Sequence, residues 1–95
     1  MKYPRIRFTP EAARLLSKLH PDNKKLIRGA LLELRRNPFS GHDLQEELTS
    51  FKSYRSGRYR ILYRINEDKN ILDVYYIGHR SDVYEEFRTL LSKLA

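Results

Sequence analysis

Residues 49–65 combine basic and aromatic side chains that could together hold a phosphate backbone. This segment contains five basic residues and no acidic one: Lys52, Arg55, Arg58, Arg60 and Arg64. An arginine fork binds a phosphate with two hydrogen bonds, and a tyrosine ring stacks on an unpaired base. The segment therefore predicts contact with RNA. The alternative is that the tyrosines only fill strands and the arginines only solvate an outer face.

A second group of reactive side chains lies in the sequence Gly-His-Arg-Ser-Asp-Val-Tyr over residues 78–84. We expect Gly78 to let the backbone turn, so that His79 and Arg80 extend from the end of a strand. Tyr84 would then stand at the start of a helix. Histidine suits proton transfer at neutral pH. In the simpler alternative, His79 is an exposed polar residue and Tyr84 anchors the helix to the sheet.

Length and composition limit the class of protein. The chain has 95 residues, which predicts a single domain over residues 1–95. Its formal net charge of +7 favours a polyanionic partner such as nucleic acid, or an acidic protein. The absence of cysteine excludes disulfides, a thiolate nucleophile and a cysteine-based zinc site.

Several other functions find no support in the sequence. No apolar run approaches the roughly 20 residues that a membrane helix needs, and no signal peptide is visible. We therefore expect a soluble, cytoplasmic protein with no membrane partner. The three histidines lack the spacing of metal ligands, and there is no glycine-rich phosphate loop. We accordingly expect neither a metal ion nor a cofactor.

The first half of the chain should form one strand and two helices. Apolar and basic residues alternate over Tyr3–Phe8, which is typical of a short strand. Thr9 can cap the helix that follows, and His20–Asn23 should end it. A second amphipathic helix is predicted over Lys24–Arg36. Two such helices joined by a short link should pair as an antiparallel hairpin.

The second half should form three strands and a last helix, after a loop over 39–47 with room for a helical turn. Aromatic and β-branched residues predict strands over Phe51–Ser56, Arg58–Ile65 and Ile71–Ile77, and an apolar stripe predicts a helix over Val83–Leu94. The element order is then β-α-α-β-β-β-α. This is an α+β fold in which a twisted, mostly antiparallel sheet packs on the helical hairpin.

The period of two in a strand predicts which side chains share a face. Arg60 and Arg64 should lie on one face of their strand, opposite Tyr63. The last predicted strand is apolar on both faces, which is usual for a strand inside a sheet. Its two faces are Leu72, Val74 and Tyr76 on one side and Ile71, Tyr75 and Ile77 on the other.

The two motifs together resemble the signature of the RelE/ParE toxin family. They are Tyr-Arg-Ser-Gly-Arg-Tyr-Arg-Ile-Leu-Tyr over 54–63 and Ile-Gly-His-Arg-Ser-Asp-Val-Tyr over 77–84. The resemblance spans almost the whole chain and implies a microbial RNase-like fold. It also implies a toxin of a type II toxin–antitoxin system with a cognate antitoxin. RelE members cleave mRNA in the ribosomal A site, whereas ParE members poison DNA gyrase.

The resemblance also implies roles for individual residues. Arg60 and Arg80 would hold the scissile phosphate, and Tyr84 would stack on or orient the cleaved nucleotide. His79 stands where some relatives have lysine, and it is a candidate for proton transfer. The remaining basic residues of the two strands would bind RNA: Lys52, Arg55, Arg58 and Arg64.

Metal-free transesterification is the chemistry that this resemblance favours. The ribose 2′-OH would attack the adjacent phosphate and leave a 2′,3′-cyclic phosphate and a 5′-OH, so the nucleophile would come from the substrate. The expected partners are the ribosome with its mRNA and an acidic, partly disordered antitoxin. Two alternatives stay open: a ParE-like gyrase inhibitor, and a non-catalytic, degenerate toxin.

Overall fold

A computed structural model of the protein describes residues 3–94, which form three helices and one sheet. The strands are β1 (Arg5–Phe8), β2 (His42–Asp43), β3 (Lys52–Ser56), β4 (Tyr59–Asn66) and β5 (Ile71–His79). The helices are α1 (Pro10–Ser17), α2 (Pro21–Arg36) and α3 (Val83–Leu94), with a 3-10 turn at Glu46–Leu48. The predicted α+β class is confirmed. The short β2 and the 3-10 turn lie in the segment that was predicted to be a loop.

The five strands form one sheet in the order β1-β5-β4-β3-β2. β1 runs parallel to β5, and every other neighbouring pair is antiparallel. The prediction that β5 lies inside the sheet is confirmed. Side chains of α1 and α2, such as Ala12 and Ile27, pack on one face, which we call the hairpin face. Val83 and Phe87 of α3 pack on the other, which we call the α3 face.

The helix starts follow from their capping residues. Thr9 caps α1 as predicted, and its Oγ1 accepts the backbone N–H of Ala12 at 3.2 Å. α2 begins at Pro21, earlier than the predicted Lys24. Proline suits the first turn of a helix, and Nδ1 of His20 accepts the N–H of Asp22 at 3.1 Å. The predicted break after α1 is therefore confined to a few residues.

A β-bulge in β5 changes which side chains share a face. The pairing with β4 shifts register between residues 62 and 63, so that Tyr75 is left as an extra residue. Beyond it, Tyr76 packs with α3, and Ile77 joins Leu72 and Val74 in the core under the hairpin. The prediction that Tyr76 lies on the face of Leu72 and Val74 is therefore wrong, because the period of two holds only for a regular strand.

Tyr63 holds the loop after α2 against the sheet. Its side chain is fully buried, and its hydroxyl donates to the carbonyl of Pro38 at 2.7 Å and accepts the N–H of Gly41 at 3.1 Å. A Cβ at Gly41 would lie 2.5 Å from this hydroxyl, so only glycine permits the contact. Burial raises the pKa of Tyr63 to about 12. The phenol is therefore held in its neutral form.

We predict that Tyr63→Phe lowers the free energy of unfolding at pH 7 by about 1–3 kcal/mol, because two backbone groups lose their partner. The difference should shrink between pH 10 and 12. An unfolded tyrosine ionises at a pKa of about 10, whereas the buried phenol stays neutral to about 12, so the wild type alone loses about 2–3 kcal/mol there. Urea unfolding of both proteins across this range measures the effect. A difference independent of pH would contradict it.

Candidate active site

Three side chains from three different elements form a hydrogen-bonded series on the α3 face. Nη1 of Arg60, on β4, donates to Oγ of Ser53, on β3, at 3.1 Å. That Oγ lies 3.0 Å from the hydroxyl of Tyr84, in the first turn of α3, and either hydroxyl could donate. Ser53 is fully buried, whereas Arg60 and Tyr84 are partly exposed. The series therefore presents a guanidinium and a phenol side by side at the surface.

Gly78 is the reason that Tyr84 can come so close to the sheet. It pairs with Arg60 across β4 and β5, and it lies directly beneath α3. A Cβ at this position would lie 3.0 Å from Cγ2 of Val83 and 3.1 Å from Oε1 of Glu86. Its role differs from the predicted one, because β5 continues through Gly78 to His79. The glycine allows close packing of the helix rather than a turn.

Three more arginines stand at the same end of the sheet. Arg55 lies directly opposite Arg60 in the β3–β4 pair, and hence on the same face. Arg58 occupies the turn between these strands, and its carbonyl accepts the N–H of Arg80 at 2.7 Å. This hydrogen bond joins the end of β5 to the β3–β4 turn. The backbones of Arg55, Arg58 and Arg80 thus lie at the end of the sheet that holds Arg60.

None of these four arginines forms an ion pair within residues 3–94, although the Glu86 carboxylate lies over Gly78, the cross-strand partner of Arg60. The ion pairs between basic and acidic side chains in that range are Arg7–Asp73, Arg14–Glu11, Lys52–Asp43 and Arg88–Glu47. Like charges at adjacent cross-strand positions are destabilising, so the cluster costs folding free energy. Such a cluster is a ready site for an anion, because no ion pair has to be broken before binding.

An open cavity of about 290 Å³ adjoins Tyr84. Leu44, Leu48, Gln45 and Arg88 contribute to its walls. Glu47 forms an ion pair with Arg88 that ties the 3-10 turn to α3. A backbone hydrogen bond and the pairing with Arg88 lower the pKa of the Glu47 carboxyl. The ring of Tyr84 therefore borders a preformed space of roughly the size of one base.

His79 lies on the opposite face of the sheet from this site. It pairs with Tyr59, and the two rings meet edge to face with centroids 6.1 Å apart. Its Nδ1 is 2.8 Å from Oγ of Ser81, and the hydroxyl of Tyr59 accepts from Asn23 of α2. These contacts belong to the hairpin face. The structure therefore does not bring His79 together with Arg60 and Tyr84.

Two of the predicted RNA-binding residues also lie apart from the site. Lys52 faces the hairpin side, where its Nζ is 2.6 Å from Oδ1 of Asp43. Arg64 is on the α3 face, but its guanidinium stacks over the rings of Phe51 and Tyr75 at 5.3 and 5.8 Å. The fully buried Leu62 separates it from Arg60 along β4. Only Arg55 and Arg58 of that set accompany Arg60.

Ser53 is the site residue that sequence reasoning missed. Its hydroxyl is the link between Arg60 and Tyr84, yet serine is common and carries no charge. The sequence did contain a signal for it. In the predicted β3–β4 hairpin, Ser53 is a small polar side chain among larger side chains on a buried face. Its value as a link depends on α3, whose position the strand pattern does not specify.

Residues 3–94 contain no group of three or more His, Cys, Asp or Glu side chains placed to hold a metal ion. Within the same residues, no helix has the length and apolarity to cross a membrane.

Comparisons with known proteins identify the family of this chain. Residues 6–84 match the family described as ParE toxin of type II toxin–antitoxin system, parDE. The chain is 37% identical over 81 residues to Toxin RelG of Mycobacterium tuberculosis. The alignment covers 83% of this chain and 93% of RelG.

Solved structures agree with this family match. The RelBE2 toxin–antitoxin complex of M. tuberculosis contains a chain 33% identical, with a TM-score of 0.78 over 83% of this protein and all of that chain. The isolated RelE toxin of Escherichia coli aligns over 95% of this chain and 99% of its own, with a TM-score of 0.70 and 21% identity. The second likeness supports the fold alone.

We predict that Gly78→Ala destabilises the protein by about 1–3 kcal/mol, because the added methyl group pushes α3 off the sheet. It should also break the contact between Tyr84 and Ser53. Thermal unfolding and amide chemical shifts of these two residues measure both effects.

Gly29→Ala is the matched control. A Cβ at Gly29 of α2 meets nothing within 4 Å, so the same change should stabilise the helix by about 0.5–1 kcal/mol. If both variants were equally stable, the close approach at Gly78 would not constrain α3.

Proposed function

This chain belongs to the RelE/ParE family of toxins of type II toxin–antitoxin systems, and from that premise we propose that it cleaves messenger RNA on the ribosome. The observation that carries the proposal is the series Arg60–Ser53–Tyr84 beside arginines without acidic partners. A surface made only for protein binding does not need a guanidinium and a phenol joined through a buried hydroxyl. This arrangement suits a phosphate that gains charge during a reaction.

The proposed reaction is transesterification at one phosphodiester. The 2′-oxygen of the ribose bonds to phosphorus, the bond from phosphorus to the 5′-oxygen breaks, and the 2′ proton leaves to a base. The 5′-oxygen takes up a proton, so the products are a 2′,3′-cyclic phosphate and a 5′-OH. The phosphorane formed on the way carries more negative charge than the substrate. Groups that bind it best lower the barrier.

Arg60 and Arg80 are the proposed phosphate-binding residues. Arg60 is held by Ser53 in one position, which leaves its other N–H groups for the phosphate oxygens. Arg80 is fixed at its backbone by Arg58. Preorganised donors of this kind contribute about 10²–10³-fold each to a rate. Arg55 and Arg58 would bind the neighbouring phosphates.

Tyr84 is proposed to orient the nucleotide at the cleavage point. Its ring borders the 290 Å³ cavity, where a base can stack, and such stacking contributes about 1–3 kcal/mol. Ser53 can donate to the phenol oxygen, and the phenol proton is then directed outward. In that state Tyr84 can donate to the leaving 5′-oxygen. Ser53 is thus a positioning residue for both of its neighbours.

A cognate antitoxin is the second proposed partner. The relatives of known structure include toxin–antitoxin complexes, such as RelBE2 of M. tuberculosis. A net charge of +7 favours an acidic partner, as expected from the sequence. By covering the arginine cluster, such a partner would exclude RNA from the same surface.

We predict that Arg60→Ala lowers the rate of ribosome-dependent mRNA cleavage by about 100-fold or more. Tyr84→Phe, which removes only the hydroxyl, should lower it by about 100-fold if the phenol donates a proton. Cleavage of a translated message on purified ribosomes, mapped by primer extension, measures both rates. Detection of a 2′,3′-cyclic phosphate at the new 3′ end tests the chemistry.

Arg28→Ala is the control, since Arg28 is exposed on α2 and loses the same charge. It should cleave as the wild type does. If the wild type left the message intact but inhibited DNA supercoiling, the protein would be a gyrase inhibitor of the ParE kind. If it did neither, the non-catalytic alternative would hold.

A further inference from the structure

An apolar groove lies on the hairpin face, far from the candidate active site. It has a volume of about 440 Å³, and Tyr3, Pro4, Pro38, Phe39 and Ile65 line it together with the end of α2. Ile65 and Arg60 are five residues apart on β4, which separates the two regions by about 16 Å along the strand, and they face opposite sides. The groove therefore belongs to a different surface from the arginine cluster.

Two large aromatic side chains of this groove are exposed to solvent. Tyr3 is 55% exposed and Phe39 is 59% exposed. The backbone beneath them is fixed, because Nε of Arg35 donates to the carbonyl of Pro4 at 2.6 Å and Tyr63 donates to that of Pro38. Exposed apolar surface on a rigid, concave support is typical of a binding site. The groove is preformed for a bulky apolar side chain.

The charge around the groove indicates the kind of partner. Arg35 and Arg36 border it, against one acidic residue, Glu67. Arg36 is exposed and forms no ion pair within residues 3–94. The chain as a whole carries +7. An apolar side chain flanked by carboxylates fits both the apolar lining of the groove and the arginines Arg35 and Arg36 that border it.

A second copy of this chain fits less well. In a twofold-symmetric dimer, the same patch of both copies meets itself, so Arg36 would approach its own equivalent. Like charges brought together at an interface disfavour association. The cationic rim therefore favours an acidic partner over self-association.

We propose that this groove is a docking site for an apolar side chain in an acidic segment of the cognate antitoxin. The antitoxin itself rests on the proposed function; the position and chemistry of its anchor rest on the groove. A segment bound here leaves the arginine cluster uncovered, so the antitoxin must continue around the sheet to inhibit. Linking two contacts in one chain raises the effective concentration of the second. The groove would thus keep the antitoxin bound while its inhibitory segment dissociates from the arginine cluster and binds it again.

The test uses the full-length protein and the purified product of the open reading frame beside its own. Two groove variants are compared with two controls of matched chemistry. Phe39→Ser is matched by Leu32→Ser, since Leu32 is 58% exposed on α2 outside the groove. Arg36→Glu is matched by Arg28→Glu on the same helix. Calorimetry gives each dissociation constant at low and high salt.

Both groove variants should bind the antitoxin at least about 10-fold more weakly, whereas both controls bind as the wild type does. The Arg36→Glu effect should shrink at high salt, because screening weakens exposed charge pairs. Each variant expressed alone should still arrest growth as the wild type does, since none of these residues belongs to the candidate active site.

Three results would overturn the docking site. They are groove variants that bind as tightly as the wild type, a wild type that does not bind this product, and a wild-type dimer that Phe39→Ser dissociates in the absence of antitoxin. Should Phe39→Ser fail to fold, Arg36→Glu against Arg28→Glu decides alone. Failure of the wild type to arrest growth would instead count against the proposed function, because the binding measurement does not depend on toxicity.

Discussion

The contact between Gly78 of β5 and Val83 of α3 determines where the candidate active site can form. α3 can lie on the sheet at this distance only because β5 presents no side chain there. The helix then carries Tyr84 to Ser53, and Ser53 connects it with Arg60. A side chain on Gly78 would act on all three at once. The site is thus a consequence of packing as much as of the polar residues themselves.

Ion pairs are unevenly placed on the protein. Four basic side chains of residues 3–94 pair with a carboxylate: Arg7, Arg14, Lys52 and Arg88. At the end of the sheet that holds Arg60, none of the clustered arginines forms an ion pair within the described residues. Exposed ion pairs contribute little to stability, about 0–1 kcal/mol, so their uneven placement has a small effect on folding. Its larger effect is on binding, because a cluster of arginines without ion pairs attracts an anion more strongly than a single exposed cation does.

Much of this organisation can be predicted from the sequence. The exception is the face of the sheet on which the side chains of β5 after Tyr75 lie. Alternation along β4 correctly separates Arg60 and Arg64 from Tyr63, since β4 keeps a regular period of two. The alternation of residues does not reveal the bulge at Tyr75, because the bulge arises from the pairing of β5 with β4. Without the bulge, His79 rather than Gly78 would lie beneath α3. The same unpredicted residue therefore explains both the wrong grouping of Tyr76 and the position of His79.

The position of His79 bears on how the proposed reaction could be catalysed. Histidine is the side chain whose ordinary pKa suits proton transfer at neutral pH, and a positioned acid or base contributes about 10²–10⁴-fold. Beside Arg60 on the α3 face lie Arg55, Ser53 and Tyr84, and the Glu86 carboxylate lies over Gly78. The site can stabilise charge, but among the described residues it holds no histidine to take up a proton at neutral pH. Alignment of the 2′-oxygen with phosphorus must then supply much of the rate, and alignment is worth about 7–11 kcal/mol when complete. Under the proposed function, a ribosome that holds the codon in place would supply this alignment, which free RNA lacks.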